Sequence, residues 1–361
     1  MNRSKEIDFL RGIAVLMVVF FHLPVIPVID NMGWVGVDLF FVLSGFLVSG
    51  LLFKEYQRHG KVNAKRFLIR RGFKIYPLFY LFMAVTFIMR LCFHQSFSIK
   101  ETAGELLFVR NYVGGYWVHT WSLSVEEHFY FLLVFAVLLM VKNNLLKKPK
   151  IITASFISIM VLCLCARIAS MIMESCVGAN TFFNPWARYV HTHFRIDSLL
   201  FGVLISYHYH LNTEGFNNFI AGKRKILLPL FACCILPAVF MSNQGMFITT
   251  IGFSLLYIGF GALLLYFITD KAMYSKLEKI FSSYVAKMIS YVGIYSYSIY
   301  LWHVFVREYF IVRMNGIWWL NKYIEFVIYV AVSLLVGIVS SKYVEFYFIK
   351  IRDKYFPSAA A

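Results

Sequence analysis

Runs of roughly 20 apolar residues, separated by short polar stretches, recur along the whole chain. They predict helical spans at about 7–29, 34–53, 73–93, 121–141, 151–173, 189–207, 226–242, 246–268, 288–311 and 322–340. Each run is apolar around its full circumference instead of alternating, which fits helices in lipid and not the short alternating strands of a membrane β-barrel. The expected fold class is all-α: a polytopic membrane protein of about ten transmembrane helices, forming a single membrane domain over residues 1–361. No internal repeat or attached soluble domain is visible in the pattern.

The polar stretches divide by charge. One alternate set holds Arg3 and Lys5, the segment Lys54–Lys74, and the basic residues near 142–150, 223–225, 271–287 and 342–354; it carries 25 Lys and Arg. The other set holds six: Arg90, Lys100, Arg110, Arg188, Arg313 and Lys322. The positive-inside rule then puts both termini in the cytoplasm. This topology accounts for the formal charge of +17 without a nucleic-acid partner. Composition agrees, at 60% hydrophobic and only 15% charged. The first run is too long for a cleavable signal, lacks a small-residue cleavage site and carries Arg11, so it is expected to stay as an anchor. The six cysteines have no metal-binding spacing and read as small buried hydrophobes.

Ionisable groups inside a span are costly, and they mark functional sites facing the protein interior. Arg11 and His22 lie on one face of the first run, separated by roughly 16 Å of helical rise. His22 is a candidate general base, since a neutral imidazole can take a proton from a hydroxyl. Glu126 and Glu127 fall in the outer part of the fourth span, His303 near the outer end of the ninth, and His191, His193, Arg195 and Asp197 at the start of the sixth. Together they suggest a wet or ligand-lined cavity at one depth. Neighbouring residues on a helix point about 100° apart, so one of the two glutamates is expected to face that cavity. His191 and His193, two apart, point away from each other, and no metal site is expected.

A second group lies on the cytoplasmic side. Arg66, Arg70, Arg71 and Lys74 sit on or beside a helix entering the third span, and with Arg11 they form a candidate phosphate-binding cluster. The Lys54–Lys74 segment reads as lying along the cytoplasmic surface. The stretch from about Gln95 to Thr120 reads as a re-entrant or interfacial segment. In the second span, Ser44 has no neighbouring base in sequence to make it a nucleophile, while Ser49 and Gly50 suit close helix packing.

Six strings in order resemble the acyltransferase-3 family of integral-membrane acyltransferases. They are Asp8-Phe-Leu-Arg11-Gly with His22, Phe40 to Leu47 (FFVLSGFL), Arg70 to Pro77 (RRGFKIYP), Trp121 to Tyr130 (WSLSVEEHFY), Arg195 to Gly202 (RIDSLLFG) and Tyr297 to His303 (YSIYLWH). The family usually has arginine where Lys74 stands, which keeps the charge but loses the bidentate fork. It commonly has glutamine where His128 stands.

The resemblance implies transfer of an acyl group, often acetyl, from cytoplasmic acetyl-CoA (acyl-CoA) to a hydroxyl of an envelope or exported glycan on the outer face of a bacterial inner membrane. It implies His22 as the catalytic histidine with Arg11 as its companion, and Arg70, Arg71 and Lys74 as the donor-binding group; beside these, Glu126 and Glu127 are further catalytic candidates and Arg66 and Ser44 further donor-side candidates. Some members carry a fused extracytoplasmic esterase-like domain; this chain is expected to act without one, alone or with a separate acceptor-handling protein. A transporter of a glycan or lipid-linked precursor would also place charges in the membrane. Neither paired repeats nor matching broken helices favour that reading.

Overall fold

The computed structural model describes residues 4–180, 183–270, 272–314 and 321–358, and every regular element among them is helical. Arg3 and Lys271, counted above in the basic set, lie outside the described residues. Each predicted span has a helical counterpart: α1 (Lys5–Phe21), α2 (Gly36–His59), α3 (Ala64–Cys92), α4 (Trp121–Lys142), α5 (Pro149–Val177), α6 (Thr192–Leu211), α7 (Arg224–Phe240), α8 (Phe253–Ile268), the broken pair α9 (Ser283–Ile294) and α10 (Ser296–Val306), and α11 (Lys322–Ser340). Among the described residues, six helical segments are by themselves long and apolar enough to cross a membrane. The chain is an all-α, multi-pass membrane protein.

Several boundaries differ from the sequence expectation, each for a local reason. The first span ends at Phe21 and not at 29, because Pro24 cannot continue the helix and constrains the residue before it. Its start is fixed by Ser4, whose hydroxyl accepts from the Ile7 amide at 3.4 Å. The basic Lys54–Lys74 segment does not lie along the surface. It is the end of α2 and the beginning of α3, reversed at Gly60, whose φ of 65° lies in the left-handed region that glycine tolerates. The ninth span breaks at Tyr295, and the tenth continues through a π-turn into Phe346–Tyr355. The 95–120 stretch forms short helices at Ile99–Leu106 and Arg110–Val113, stitched to the next turn by Glu105, which accepts from the Trp117 amide at 3.0 Å and the Thr120 hydroxyl at 3.1 Å.

The centre of the bundle is α2, buried over most of its length, whereas α5 presents Ile157, Val161 and Leu162 outward as a lipid-facing helix would. Two backbone-to-backbone crossings set the layout. At α1–α9, a Cβ on Gly293 would stand 1.8 Å from the Asp8 carbonyl oxygen, and one on Gly12 would stand 2.0 Å from that of Ile289. At α2–α6, the same holds for Gly45 against Leu199 at 2.0 Å and Gly202 against Val42 at 2.2 Å. Ser49 shares the packing role expected of it, donating back to the Gly45 carbonyl at 2.6 Å.

The charges at the start of α6 belong to this scaffold and not to a wet cavity. Arg195 pairs with Asp38 of α2 at 2.7 Å, and Asp197 pairs with Arg167 of α5 at 2.7 Å, all four side chains being buried. Arg167 also donates to the Thr250 and Phe194 carbonyls and to the Ser254 hydroxyl. Buried charges survive in such a place because each is paired and hydrogen-bonded.

Candidate functional site

At the end of the bundle where α1 begins, a vestibule of about 710 Å³ opens between α1, α2, α3 and the C-terminal helix. It is lined by Arg11, Lys54, Lys74 and Arg352, together with the carboxylates Glu6, Asp8, Asp270 and Glu345. Among these acids, Asp270 is engaged by Arg224 and Lys276, Glu345 by the hydroxyls of Ser298 and Ser341, and Glu6 by the Ser4 hydroxyl. Arg11, Leu47 and Lys74 also line a narrower pocket of about 100 Å³ deeper in the bundle, so the two cavities share a wall.

The narrow pocket gathers Arg11, Ser44, Arg71, Lys74, Glu126 and Glu127. Both glutamates line it, against the expectation of one. The pocket is a wedge between α2 and α3 on the flank of α4, wide enough to receive side chains 100° apart. Glu126 turns towards α2, accepting from Ser44 at 3.2 Å and from Tyr130 at 2.7 Å. Glu127 turns towards α3 and accepts from Tyr76 at 2.9 Å. The Arg71 guanidinium lies over the rings of Phe67 and Tyr130. These carboxylates therefore sit with the cationic group and not beside His22, which corrects the sequence reading of their depth.

Two other members of the predicted cationic cluster lie elsewhere. Arg66 pairs with Glu55 at 2.6 Å beside the Gly60 turn. Arg70 pairs with Asp353 at 2.9 Å and donates to the Phe356 carbonyl, clasping the C-terminal helix. Of the adjacent Arg70 and Arg71 on α3, only Arg71 lines the wedge.

Tyr300 closes the inner end of the narrow pocket. Its hydroxyl donates to the His119 carbonyl at 2.9 Å and shares a 2.6 Å hydrogen bond with Ser122. Beyond it lie three imidazoles. The His303 ring is 4.7 Å from that of His22 and 5.0 Å from that of His119, both edge to face. Each ring is anchored to a backbone carbonyl through one nitrogen: His22 Nδ1 to Val18 at 2.9 Å, His303 Nδ1 to Tyr300 at 2.6 Å, and His119 Nε2 to Leu301 at 3.1 Å. A carbonyl only accepts, so each anchored nitrogen carries the proton and the other nitrogen keeps a lone pair. Arg307 donates to the His22 carbonyl at 3.0 Å and holds the end of α1.

Sequence reasoning missed His119, Tyr300, Tyr76 and Arg167. His119 follows the Gly114-Gly115 pair in a segment read as re-entrant or interfacial; its flanking by Trp117 and Trp121 was the available signal. His128, His191 and His193 form a separate group around Tyr112 and Thr192. Among the described residues no cluster of His, Cys, Asp and Glu is arranged to hold a metal ion.

A family model for an acyltransferase domain, acyltransferase-3, matches residues 4–342. The chain belongs to the acyltransferase-3 family. The narrow pocket and the histidine cluster fall within the matched residues, as does the vestibule apart from Glu345, Phe346, Ile349 and Arg352. Among curated proteins, it is 28% identical over 327 residues to the peptidoglycan O-acetyltransferase OatA of Listeria monocytogenes, covering 82% of this chain and 48% of that protein. It is 26% identical over 381 aligned positions to the O-acetyltransferase OatA of Staphylococcus aureus, covering 98% of this chain and 58% of that protein. A putative O-acetyltransferase of Staphylococcus aureus is 27% identical, covering 86% and 52% respectively. The chain spans about half the length of the curated relatives it matches. No solved structure gives a significant match.

Proposed function

We propose that this protein is a membrane O-acyltransferase of a bacterial inner membrane. It takes an acetyl group from acetyl-CoA at the cytoplasmic end and delivers it to a hydroxyl of an envelope glycan at the other. The observation that carries the reading is the order of features through the bundle: a vestibule lined by charges of both signs, the narrow pocket that shares its wall, the Tyr300 hydroxyl and, beyond it, the imidazole of His22. The 25-to-6 bias of Lys and Arg supports a cytoplasmic vestibule. The relatives named as O-acetyltransferases support the group transferred, and the one named for peptidoglycan supports a glycan acceptor.

The chemistry follows from the side chains. Arg11, Arg71 and Lys74 offer charge to the phosphates of the donor, whose unbranched arm suits the narrow pocket. His22, protonated on Nδ1 towards Val18, presents its Nε2 lone pair to the acceptor hydroxyl. As that proton moves to Nε2, the acceptor oxygen bonds to the thioester carbonyl carbon. The tetrahedral intermediate collapses with cleavage of the C–S bond, and the leaving thiolate takes the proton from His22. The outcome is an O-acetyl ester, free coenzyme A and a regenerated imidazole. A pocket of about 100 Å³ favours passage of an extended arm over passage of a sugar chain, which argues against a glycan exporter.

The test uses oriented proteoliposomes with labelled acetyl-CoA on the vestibule side and glycan on the other. Labelled glycan and stoichiometric free thiol are expected. Absence of thiol release under every arrangement would overturn the reading. Turnover only with both substrates on the vestibule side would overturn the through-membrane route alone.

A further inference from the structure

At the opposite end of the bundle from the vestibule lies a second large cavity, of about 660 Å³, that the predicted chemistry does not use. Lys74 lines the vestibule and Arg90 lines this cavity; the two are sixteen residues apart on α3, roughly 24 Å of helical rise. The floor of the cavity backs directly onto the histidine cluster. Arg307, in its wall, donates to the His22 carbonyl, and Val304 follows His303 in sequence. Trp117 stands with its ring 6.2 Å from that of His119. The volume is within the range of about 300–1,000 Å³ typical of ligand pockets.

The charges lining it do not cancel. Glu308 is taken by Arg307, which reaches it through Nε at 3.0 Å and Nη2 at 2.5 Å. Two guanidinium groups remain. Arg313 lies over the rings of Phe93 and Tyr309, at 3.8 and 4.9 Å, and gives one N–H to the Glu308 carbonyl. Arg90 lies over the Tyr116 ring at 4.0 Å and gives one N–H to the Ser96 carbonyl, while its buried Nε has no hydrogen-bond partner. Neither has a carboxylate within ion-pairing distance among the described residues. Stacking on aromatic rings fixes the plane of each guanidinium and leaves its remaining donors for a planar anion.

We propose that this cavity is the acceptor subsite, and that it selects a saccharide carrying carboxylate groups, recognised by Arg90 and Arg313. The proposal rests on the O-acyltransfer reading and adds the acceptor's charge class to it. A carboxylate held at these arginines sits in a cavity whose wall, through Arg307, grips the His22 carbonyl, which places the bound sugar beside the segment that carries the imidazole.

The probe is a tetrasaccharide of alternating N-acetylglucosamine and its lactyl ether, used as the free acid and as the neutral amide. Direct binding to the purified protein is measured beside acetyl transfer. The acid is expected to bind about tenfold more tightly than the amide, an advantage that shrinks as salt rises. Arg313→Gln, at an exposed position that the fold tolerates, is expected to erase most of the acid-over-amide ratio. Arg90→Gln is expected to do the same, and Arg313→Lys to restore part of it. Lys100→Gln removes an exposed charge that does not line the cavity and is expected to leave the ratio unchanged. Equal binding of acid and amide to the wild-type protein would overturn the proposal, as would a ratio that survives in both arginine variants. Charge-selective binding without any acetyl-CoA turnover would instead overturn the O-acyltransfer reading and leave the cavity assignment standing.

Discussion

Tyr300 donates its hydroxyl proton to the backbone carbonyl of His119 across 2.9 Å, where the lining of the narrow pocket meets the histidine cluster. Pocket residues from Arg11 to Glu127 lie on one side, and the imidazoles of His22, His119 and His303 on the other. Tyr300→Ala is expected to open the partition and raise acetyl-CoA hydrolysis relative to transfer. Tyr300→Phe keeps the ring and loses the hydrogen bonds to His119 and Ser122, so transfer is expected to fall by about 5–160-fold, the equivalent of two such bonds. Thiol release measured with and without acceptor separates the two. An unchanged hydrolysis-to-transfer ratio in Tyr300→Ala would remove the partition role.

His22 offers an unprotonated nitrogen because its other nitrogen is tied to Val18. His22→Ala is expected to lower transfer by about 10²–10⁴-fold while donor binding persists. A variant retaining more than about a tenth of the wild-type rate is too active for its missing group to be the general base.

Adjacent arginines on α3 should behave differently. Arg71 lines the narrow pocket, whereas Arg70 is spent on Asp353 and the Phe356 carbonyl. Arg71→Ala is expected to weaken coenzyme A binding about tenfold or more, and to flatten its dependence on salt. Arg70→Ala is expected to change affinity by less than about threefold, near the limit for a partly exposed pair. Equal losses in the two variants would relocate the donor site towards the C-terminal helix.

The scaffold pairs should fail through stability. Asp197→Ala leaves Arg167 charged and fully buried with its carboxylate gone, a change that costs about 3–5 kcal/mol in comparable buried pairs. A lower midpoint of thermal unfolding in detergent, with poor recovery from the membrane, is expected. Wild-type stability coupled to selective loss of activity would move Asp197 from scaffold to site.

Helices were legible in the sequence because an apolar run in lipid has few alternatives. Arg11, Arg71, Lys74 and Ser44 were legible as one neighbourhood because charges and small residues stand out within such runs. Depth was less so. Glu126 and Glu127 looked level with His22, but they line the cationic pocket beside α2 and α3. Arg195 and Asp197 looked like cavity lining for want of their partners, Asp38 and Arg167, which are far away in sequence. Tyr300 could not be found from composition, since tyrosine is common here and its role depends on an hydroxyl meeting one carbonyl on another segment.

The contact of Gly12 with the turn around Gly293 also has a cost in time. The two residues are about 280 positions apart, and a ribosome adding about 5–20 residues per second takes roughly 14–56 s to make the second after the first. For that interval the newborn first helix carries Arg11 without the surface against which it finally rests. Neighbouring α2, made within seconds, is the first support it can acquire. Biogenesis of this protein is thus a problem of waiting: a helix that carries Arg11 and ends at His22 must be kept in place until the α9 segment arrives.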